Sequence, residues 1–322
     1  MLAAMSRRSP FAQGFRVLRN EPSVWLAEVA WRWVFGGIAT VLVVWATLGF
    51  LHAIEVSRAN QFLLGSLNPA IIGYVLRDML SQKWGLLARL GIIVSVSLSF
   101  LWMITATIAR SATTRVLIEQ VAALSGEERE TRNNIRAVAA IQFFRVALLW
   151  VGAAAYVLIA VVASAVTGLE GKSHVGAFLL VFLCLFGIVA AVLSFLNWIL
   201  LLAPIFAVRD AASFADAVLA AWQLSQTRGG SLAGLNLAHL AMRLIWFVFM
   251  SGIGFAPLGF MHVVPKLLIL LAMIATTLVY CAVADGLFVA RYAGYIEIAE
   301  QELHPEAETL AVDPFVPETA LQ

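Results

Sequence analysis

The chain has 322 residues, of which 62% are hydrophobic and only 12% are charged. Soluble domains are about half apolar and about a quarter charged, so a water-soluble fold of this length could not bury so much apolar surface. The formal net charge of +2 is too small to indicate a nucleic-acid partner, and the two cysteines lie in apolar runs, which favours packing over a disulfide or metal role.

Six apolar stretches are long enough to cross the hydrocarbon core of a bilayer, which takes about 20 helical residues. The predicted fold class is therefore all-α, a polytopic membrane protein with six transmembrane helices. The first stretch is too long for the apolar region of a signal peptide, so we expect it to be retained. The predicted spans are Trp25–His52, Leu86–Ala109, Ala137–Thr167, Gly176–Val208, Leu232–His262 and Val264–Ala290.

The distribution of Lys and Arg predicts that both termini face the cytoplasm. Of the 21 Lys and Arg residues, twelve fall on the side that holds the termini, five on the opposite side and four within the spans. Cytoplasmic segments of membrane proteins carry an excess of these residues. The predicted location is the cell inner (plasma) membrane, where membrane lipids are the surrounding partners.

Three connections between the spans have helical patterns. The first begins at Asn68–Pro69, a capping residue followed by a first-turn proline. The second covers Thr113–Leu124 and the third covers Ala211–Gln226. Each pattern is compatible with a helix on the membrane surface and with a connector that packs into the core.

Two further patterns concern the boundaries of the bundle. Ser125 and Glu128 have the spacing of a capping box, so we expect a helix that begins there and runs into the third span. After Ile296 the chain has seven acidic residues, three prolines and no Lys or Arg, which is typical of a disordered tail. The predicted domains are a cytoplasmic N-terminal segment at 1–23, a six-helix bundle at 24–296 and an acidic tail at 297–322.

Short repeated words indicate three diverged helical hairpins. The second, fourth and sixth spans end with IARSA at Ile108–Ala112, AVRDA at Ala207–Ala211 and VARYA at Val289–Ala293. The first, third and fifth spans each carry an arginine that is soon followed by a tryptophan. A chance match is the alternative, because Ala and Arg are common and the words are short.

The span arginines Arg32, Arg145 and Arg243 are predicted to lie at one depth, about 12–18 Å from the cytoplasmic ends of their helices. An arginine near the bilayer centre costs about 2.5–3.5 kcal/mol on insertion scales. Arg145 and Arg243 should therefore face the bundle, whereas Arg32 is close enough to the interface to reach it. We call these arginines, together with the other polar residues at this depth, the polar layer; the others are Asp285, His239, Asn236, Asn197, Gln142 and Glu28.

Two interpretations of the polar layer stay open. In the first, Arg145 or Arg243 pairs with Asp285 and the amides complete the hydrogen bonds, so that the layer locks the bundle. In the second, the spare positive charge faces a cavity and binds an anion such as a lipid phosphate. An ion or proton pathway is a third possibility, which rests on a single membrane acid.

No motif in the sequence predicts catalysis, a cofactor or a bound metal. DGLFVAR at Asp285–Arg291 is similar to the DG-x2-AR word of the CDP-alcohol phosphotransferases, but here three residues separate DG from AR. The other aspartates that hold the metal in those enzymes are missing, and metal-assisted transfer needs several carboxylates. We therefore expect that the protein is not an enzyme.

The stretch Leu200–Asn236 resembles a widespread prokaryotic family, the membrane domain attached to some glycerophosphodiester phosphodiesterases and its free-standing relatives. The matching features are a helix that ends in Ala203–Pro204, an amphipathic segment with Ala221–Trp222, and a basic, glycine-containing turn at Arg228–Gly230. The resemblance covers about one hairpin of three. It implies a six-helix bundle with interfacial helices that lies close to membrane lipid, and it carries over no catalytic residue.

The predicted function is that of an integral membrane protein without a catalytic site, which binds anionic lipid or scaffolds a membrane complex. The segment 110–136 and the acidic tail are the candidate surfaces for a membrane-protein partner. The alternative is a transporter of a small solute or lipid through a cavity lined by Arg and Asp, which is compatible with the repeated hairpins.

Overall fold

The computed structural model describes residues 9–53, 62–63, 69–126, 131–168, 175–260 and 263–303. Over these residues the fold is all-α, as predicted. The helices are α1 (Pro10–Asn20), α2 (Pro22–His52), α3 (Pro69–Gln82), α4 (Trp84–Ser125), α5 (Ile135–Gly168), α6 (Val175–Arg209), α7 (Phe214–Thr227), α8 (Gly229–Phe255) and α9 (Lys266–Leu303), with a 3-10 segment, Ala256–Phe260, after α8.

Six helices are long and apolar enough to cross a membrane, which confirms the predicted six-span organisation. They are α2, α4, α5, α6, α8 with its 3-10 extension, and α9, and each overlaps nearly the whole of its predicted span. The protein is therefore a multi-pass membrane protein.

The three predicted connecting helices have different outcomes. α3 is present from Pro69, although Asn68 lies outside the described residues. α7 is also present, and the hydroxyl of its N-cap, Ser213, accepts a hydrogen bond from the backbone N–H of Asp216. Thr113–Leu124 is helical but is not a separate element, because α4 continues through it without a break.

The predicted helix from Ser125 into the third span is wrong, and Glu128 of the predicted capping box lies outside the described residues. Ser125 ends α4, and Gly126 follows with a φ of 81°, a left-handed conformation that glycine adopts without a steric penalty. The next helix, α5, begins at Ile135, and its cap is Asn134, whose side-chain oxygen accepts a hydrogen bond from the backbone N–H of Ala137 at 3.2 Å.

The helical bundle extends beyond its predicted limits at both ends. α1 lies within the predicted N-terminal segment and packs along α9. At the other end, α9 continues past Ile296 to Leu303, because Ile296, Ile298 and Ala299 are buried in the core. The rest of the predicted acidic tail, 304–322, lies outside the described residues.

The described chain divides into two compact units. The first contains the described residues of 9–29 and 107–303, and the second contains the described residues of 30–106. In the second unit, the ring of Trp102 packs against those of Trp31 and Phe35, with centroids 5.2 and 4.9 Å apart.

The hydrophobic core of the first unit lies at one end of its helices. Fully buried side chains there include Leu117 of α4, Ile141 of α5, Leu202 of α6 and Ile296 of α9. By contrast, no more than 17% of the residues are buried in the most apolar window of any span. Exposed apolar spans are expected where lipid surrounds the helices.

The helices are long enough for this core to lie outside the hydrocarbon. Hydrocarbon about 30 Å thick takes about 20 helical residues. Counted from the ends away from the core, which are Gly168, Val175, Phe260 and Lys266, the hydrocarbon ends near residues ~148, ~195, ~240 and ~286 of α5, α6, α8 and α9. The core residues of these helices lie beyond those points. We call this depth the boundary level, and the Lys and Arg count predicts that its core side is cytoplasmic.

Backbone contact between α1 and α9 generates the first prediction. A Cβ atom at Gly14 would overlap the carbonyl group of Ala290. We expect Gly14→Ala to displace α1 and to lower the free energy of unfolding by about 1–3 kcal/mol, the usual penalty of overpacking. Thermal unfolding in detergent, followed by tryptophan fluorescence, measures the change.

Gly234→Ala is the matched control for this substitution. A Cβ atom at Gly234 would meet nothing within 4 Å, and alanine is favoured over glycine in a helix by about 1 kcal/mol. An unfolding midpoint that is as high in the Gly14 variant as in the Gly234 variant would contradict the docked position of α1.

Candidate functional site

Arg145 lies where α5 packs against α6. Its Nε donates a hydrogen bond to the Oδ1 of Asn197 at 3.2 Å, and one of its terminal nitrogens donates to the Oε1 of Gln142 at 3.5 Å. Gln142 is fully buried, whereas Asn197 is exposed. The structure thus brings three members of the polar layer together across one helix contact.

Arg243, which is predicted to face the bundle, lies beside the inward face of α8, and its charge acts on Cys281 of α9. Arg243 is exposed, and with the described residues it makes no hydrogen bond or ion pair. The inward face of α8 passes through His239, Met242, Trp246 and Met250, which are all buried or half-buried. Arg243 follows His239 by one helical turn, so it lies at the edge of this stripe, and its side chain is exposed there.

His239 is the buried member of the polar layer on α8. Its Nδ1 lies 3.0 Å from the backbone oxygen of Leu235, and its Nε2 is buried without a hydrogen-bond partner among the described residues. The rings of Phe11 and Phe15 from α1 pack on the imidazole, with centroids 5.0 and 5.8 Å away. The surroundings of His239 are therefore those of a core side chain.

The remaining members of the predicted layer are distributed over both units. Asn236 of α8 accepts a hydrogen bond from the hydroxyl of Tyr295 on α9, and Asp285 of α9 is buried. Arg32 belongs to the second unit, where its guanidinium group lies 5.6 Å from the centroid of the Trp31 ring.

On this count, the polar layer in the first unit lies close to the boundary level. Arg145, Asn197, Arg243 and Asp285 are each within three residues, or about 5 Å, of the points at which about 20 helical residues would have crossed the hydrocarbon. The predicted depth of about 12–18 Å has a different reference point, since it is counted from the ends of the apolar stretches, which belong to the packed core.

A buried ion pair that the sequence analysis did not predict joins α2 to α4. A terminal nitrogen of Arg110 lies 3.1 Å from the Oε1 of Glu28, and the two side chains are only 5% and 0% exposed. The hydroxyl of Thr113 donates a hydrogen bond to the same carboxylate at 3.4 Å. The guanidinium group also lies 4.3 Å from the ring centroid of Phe288, so Arg110 connects α2 and α4 with α9.

A second buried arginine fixes the corner between α6 and α7. Two nitrogens of Arg209 bind the carboxylate of Asp210 at 2.9 and 2.8 Å, and a third donates to the backbone oxygen of Ala299 at 3.2 Å. The side-chain amide of Asn134 donates to the backbone oxygens of Ala211 and Ala212 at 3.3 and 3.1 Å. α6, α9 and the segment before α5 therefore meet at this corner.

The repeated words contain the signal that could have identified these residues. Arg110, Arg209 and Arg291 occupy the same position in IARSA, AVRDA and VARYA. The first two are buried, and Arg291 lies 5.5 and 5.8 Å from the ring centroids of Phe288 and Tyr295. We call them the repeat arginines. Their contacts are those of internal supports for the core end of the first unit.

The chemistry that these groups offer is the binding of oxygen acceptors. Guanidinium and amide groups donate hydrogen bonds to carbonyl, carboxylate and phosphate oxygens. Over the part of the chain that the structure describes, no group of three or more His, Cys, Asp or Glu side chains could hold a metal ion.

No protein-family model, curated protein or solved structure matches the chain. The resemblance of Leu200–Asn236 to the phosphodiesterase-associated membrane domain therefore stays a prediction. The helix–corner–helix order from α6 to α8 is a property of this chain's own structure.

The buried ion pair leads to the second prediction. Glu28→Gln should lower the free energy of unfolding by about 3–5 kcal/mol, because it leaves the charge of Arg110 buried without its carboxylate. The measurement is the unfolding midpoint in mixed detergent micelles.

The control is Glu119→Gln, which breaks the exposed 2.9 Å pair between Glu119 and Arg115. Exposed pairs of this kind contribute about 0–1 kcal/mol. Equal shifts for the two variants would show that the Glu28–Arg110 pair is not buried in the folded protein.

Proposed function

We propose that this is a non-enzymatic inner-membrane protein that binds anionic lipid at the boundary level and thereby scaffolds a membrane complex. The proposal rests on a difference between two sets of cationic side chains in the first unit. The repeat arginines are used inside the protein, whereas a separate set of cations is exposed at the same end of the helices.

Arg243 is the observation that carries the proposal. It is exposed, it lies about 5 Å from the boundary level, and no carboxylate among the described residues forms an ion pair with it. An exposed cation at this depth is unfavourable against lipid tails. It becomes favourable when the guanidinium group reaches up to an anionic headgroup, because charge-assisted hydrogen bonds to phosphate are strong.

Other exposed cations at the core end also favour binding to anionic lipid. Arg16 and Arg19 are exposed on α1, Arg115 on α4, and Arg136 at the start of α5. Each Lys or Arg near an anionic membrane surface contributes about 1 kcal/mol to attraction. These side chains lie on the side that the Lys and Arg count predicts to be cytoplasmic, where anionic lipid headgroups would meet them.

The scaffolding part of the proposal rests on the packed core outside the hydrocarbon. α4 continues well beyond the boundary level to Ser125, and exposed charged residues such as Arg115, Glu119 and Arg132 lie on or near its end. A rigid, charged surface of this kind suits a partner at the membrane face, which is the role predicted for the segment 110–136.

Lipid retention tests the proposal and supplies the third prediction. In native mass spectrometry, protein that is exchanged into equal amounts of phosphatidylglycerol and phosphatidylcholine should retain the anionic lipid several-fold more. Arg243→Gln should reduce this ratio at least two-fold, because one charged contact is lost.

Lys266→Gln is the matched control, since Lys266 is an exposed cation at the opposite end of α9. It should leave the ratio unchanged. Equal retention of the two lipids by the wild-type protein, or an equal loss in both variants, would overturn the assignment of anionic-lipid binding to Arg243.

A further inference from the structure

α7 has one face buried in the protein and another that is largely exposed in this structure. Ala217, Ala221 and Leu224 are buried on the inward face. Leu219 and Trp222 are exposed, at 55% and 43% of their surface, although they are large and apolar. At 100° per residue, Ala215 lies between these two side chains.

Two aromatic contacts place α7 near the boundary level. The ring of Phe214, at the start of α7, stacks on Phe144 of α5 with centroids 4.6 Å apart. Eight residues later, the ring of Trp222 packs edge-on against Phe195 of α6, at 5.7 Å. Phe144 and Phe195 lie within about four residues of the points at which the hydrocarbon of α5 and α6 ends. α7 therefore reaches this depth at two places along its length.

The chain changes direction between α6 and α7, so α7 does not continue along the axis of α6. Ala211 has a φ of 52°, a left-handed conformation that reverses the chain after α6. The contacts of Arg209 and Asn134 hold this corner, and Ser213 then caps the new helix. Contacts within the protein therefore set the direction of α7.

The composition of α7 indicates what covers its exposed face. The helix contains no Lys or Arg, and its only charged residue is Asp216. Gln223 and Asp216 lie together on one side, about 80–100° from Ala215. Gln226, in the last turn, lies on the same side as Ala215, so the apolar face is confined to the part of the helix before that turn. A helix of this type enters the interface through apolar burial and aromatic anchoring, without a requirement for anionic headgroups.

We propose that α7 is an interfacial helix that inserts the face bearing Leu219 and Trp222 between the headgroups and upper acyl chains of the adjacent leaflet. The occupant of this face is the lipid surface itself, and zwitterionic lipid is sufficient. The inference is independent of the anionic-lipid site at Arg243, since it needs neither a basic residue nor a phosphate contact.

Depth-dependent fluorescence quenching tests this proposal. In a chain that carries Cys184→Ser and Cys281→Ser, a bimane label is attached at Ala215→Cys, and the protein is placed in vesicles of phosphatidylcholine alone. Lipids with a nitroxide at acyl carbon 5 should quench the label at least two-fold more than lipids with the nitroxide at carbon 12. Aqueous iodide should quench it several-fold less than free dye.

Gln223→Cys is the matched control on the same helix, because Gln223 is exposed on the polar side. Its label should be quenched by iodide and only weakly by either lipid nitroxide. Equal iodide quenching at the two positions would overturn the proposal. Protection of the Ala215 label from both lipid nitroxides and iodide would also overturn it and would instead indicate a protein partner on this face.

Discussion

Lipid provides almost no hydrophobic force between helices, because the acyl chains are as apolar as the side chains that they contact. The fold depends on this constraint. α6 has 35 residues and is about 52 Å long, well beyond the hydrocarbon thickness of about 30 Å. The excess length of α5, α6, α8 and α9 lies at one end, where water restores the hydrophobic driving force. The core of the first unit forms there, and the apolar spans stay largely exposed to lipid.

The same constraint determines which arginines support the structure. Beyond the boundary level a guanidinium group can be buried if it has a carboxylate, a carbonyl group or an aromatic ring as partner, as Arg110 and Arg209 do. At the boundary level, the guanidinium group of Arg145 donates hydrogen bonds to the side-chain amides of Asn197 and Gln142, where α5 packs against α6. Arg243 lies at the edge of the packed stripe of its helix, and its side chain is exposed. Its depth and exposure are the reasons for assigning it to lipid, while the repeat arginines are internal supports.

The short helices α1 and α7 differ in the same way, since the large apolar residues of α1 pack against the core, whereas those of α7 do so on only one face. α1 fits against α9 through a glycine and packs its phenylalanines on His239, so it completes the core. α7 shares the core with one face and presents large apolar residues with another. A protein whose spans pack weakly within lipid needs such elements, because they connect the core end to the membrane surface.

The six spans and the all-α fold could be predicted because they follow from composition averaged over many residues. The predictions that the structure does not confirm depend on the conformation of single helical turns. Ser125 was assigned to the wrong helix end because Gly126, with its positive φ, terminates α4 first. The exposure of Arg243 could not be predicted, because its position lies one helical turn from the buried His239. Apolar residues of the packed core resemble membrane residues in composition, so the sequence alone does not separate the core end from the spans. The Glu28–Arg110 pair required knowledge of a tertiary contact that no local pattern contains.

The central claim is that the core end of the first unit is a packed structure outside the hydrocarbon, and hydrogen–deuterium exchange of the protein in lipid nanodiscs tests it most directly. The amides of residues 113–124, 199–208 and 289–299 should exchange at rates as slow as those of the lipid-covered spans, because packing shields them from water. Exchange within seconds in these segments, with protection confined to the spans, would show that the ends are solvated helical extensions and would contradict the account.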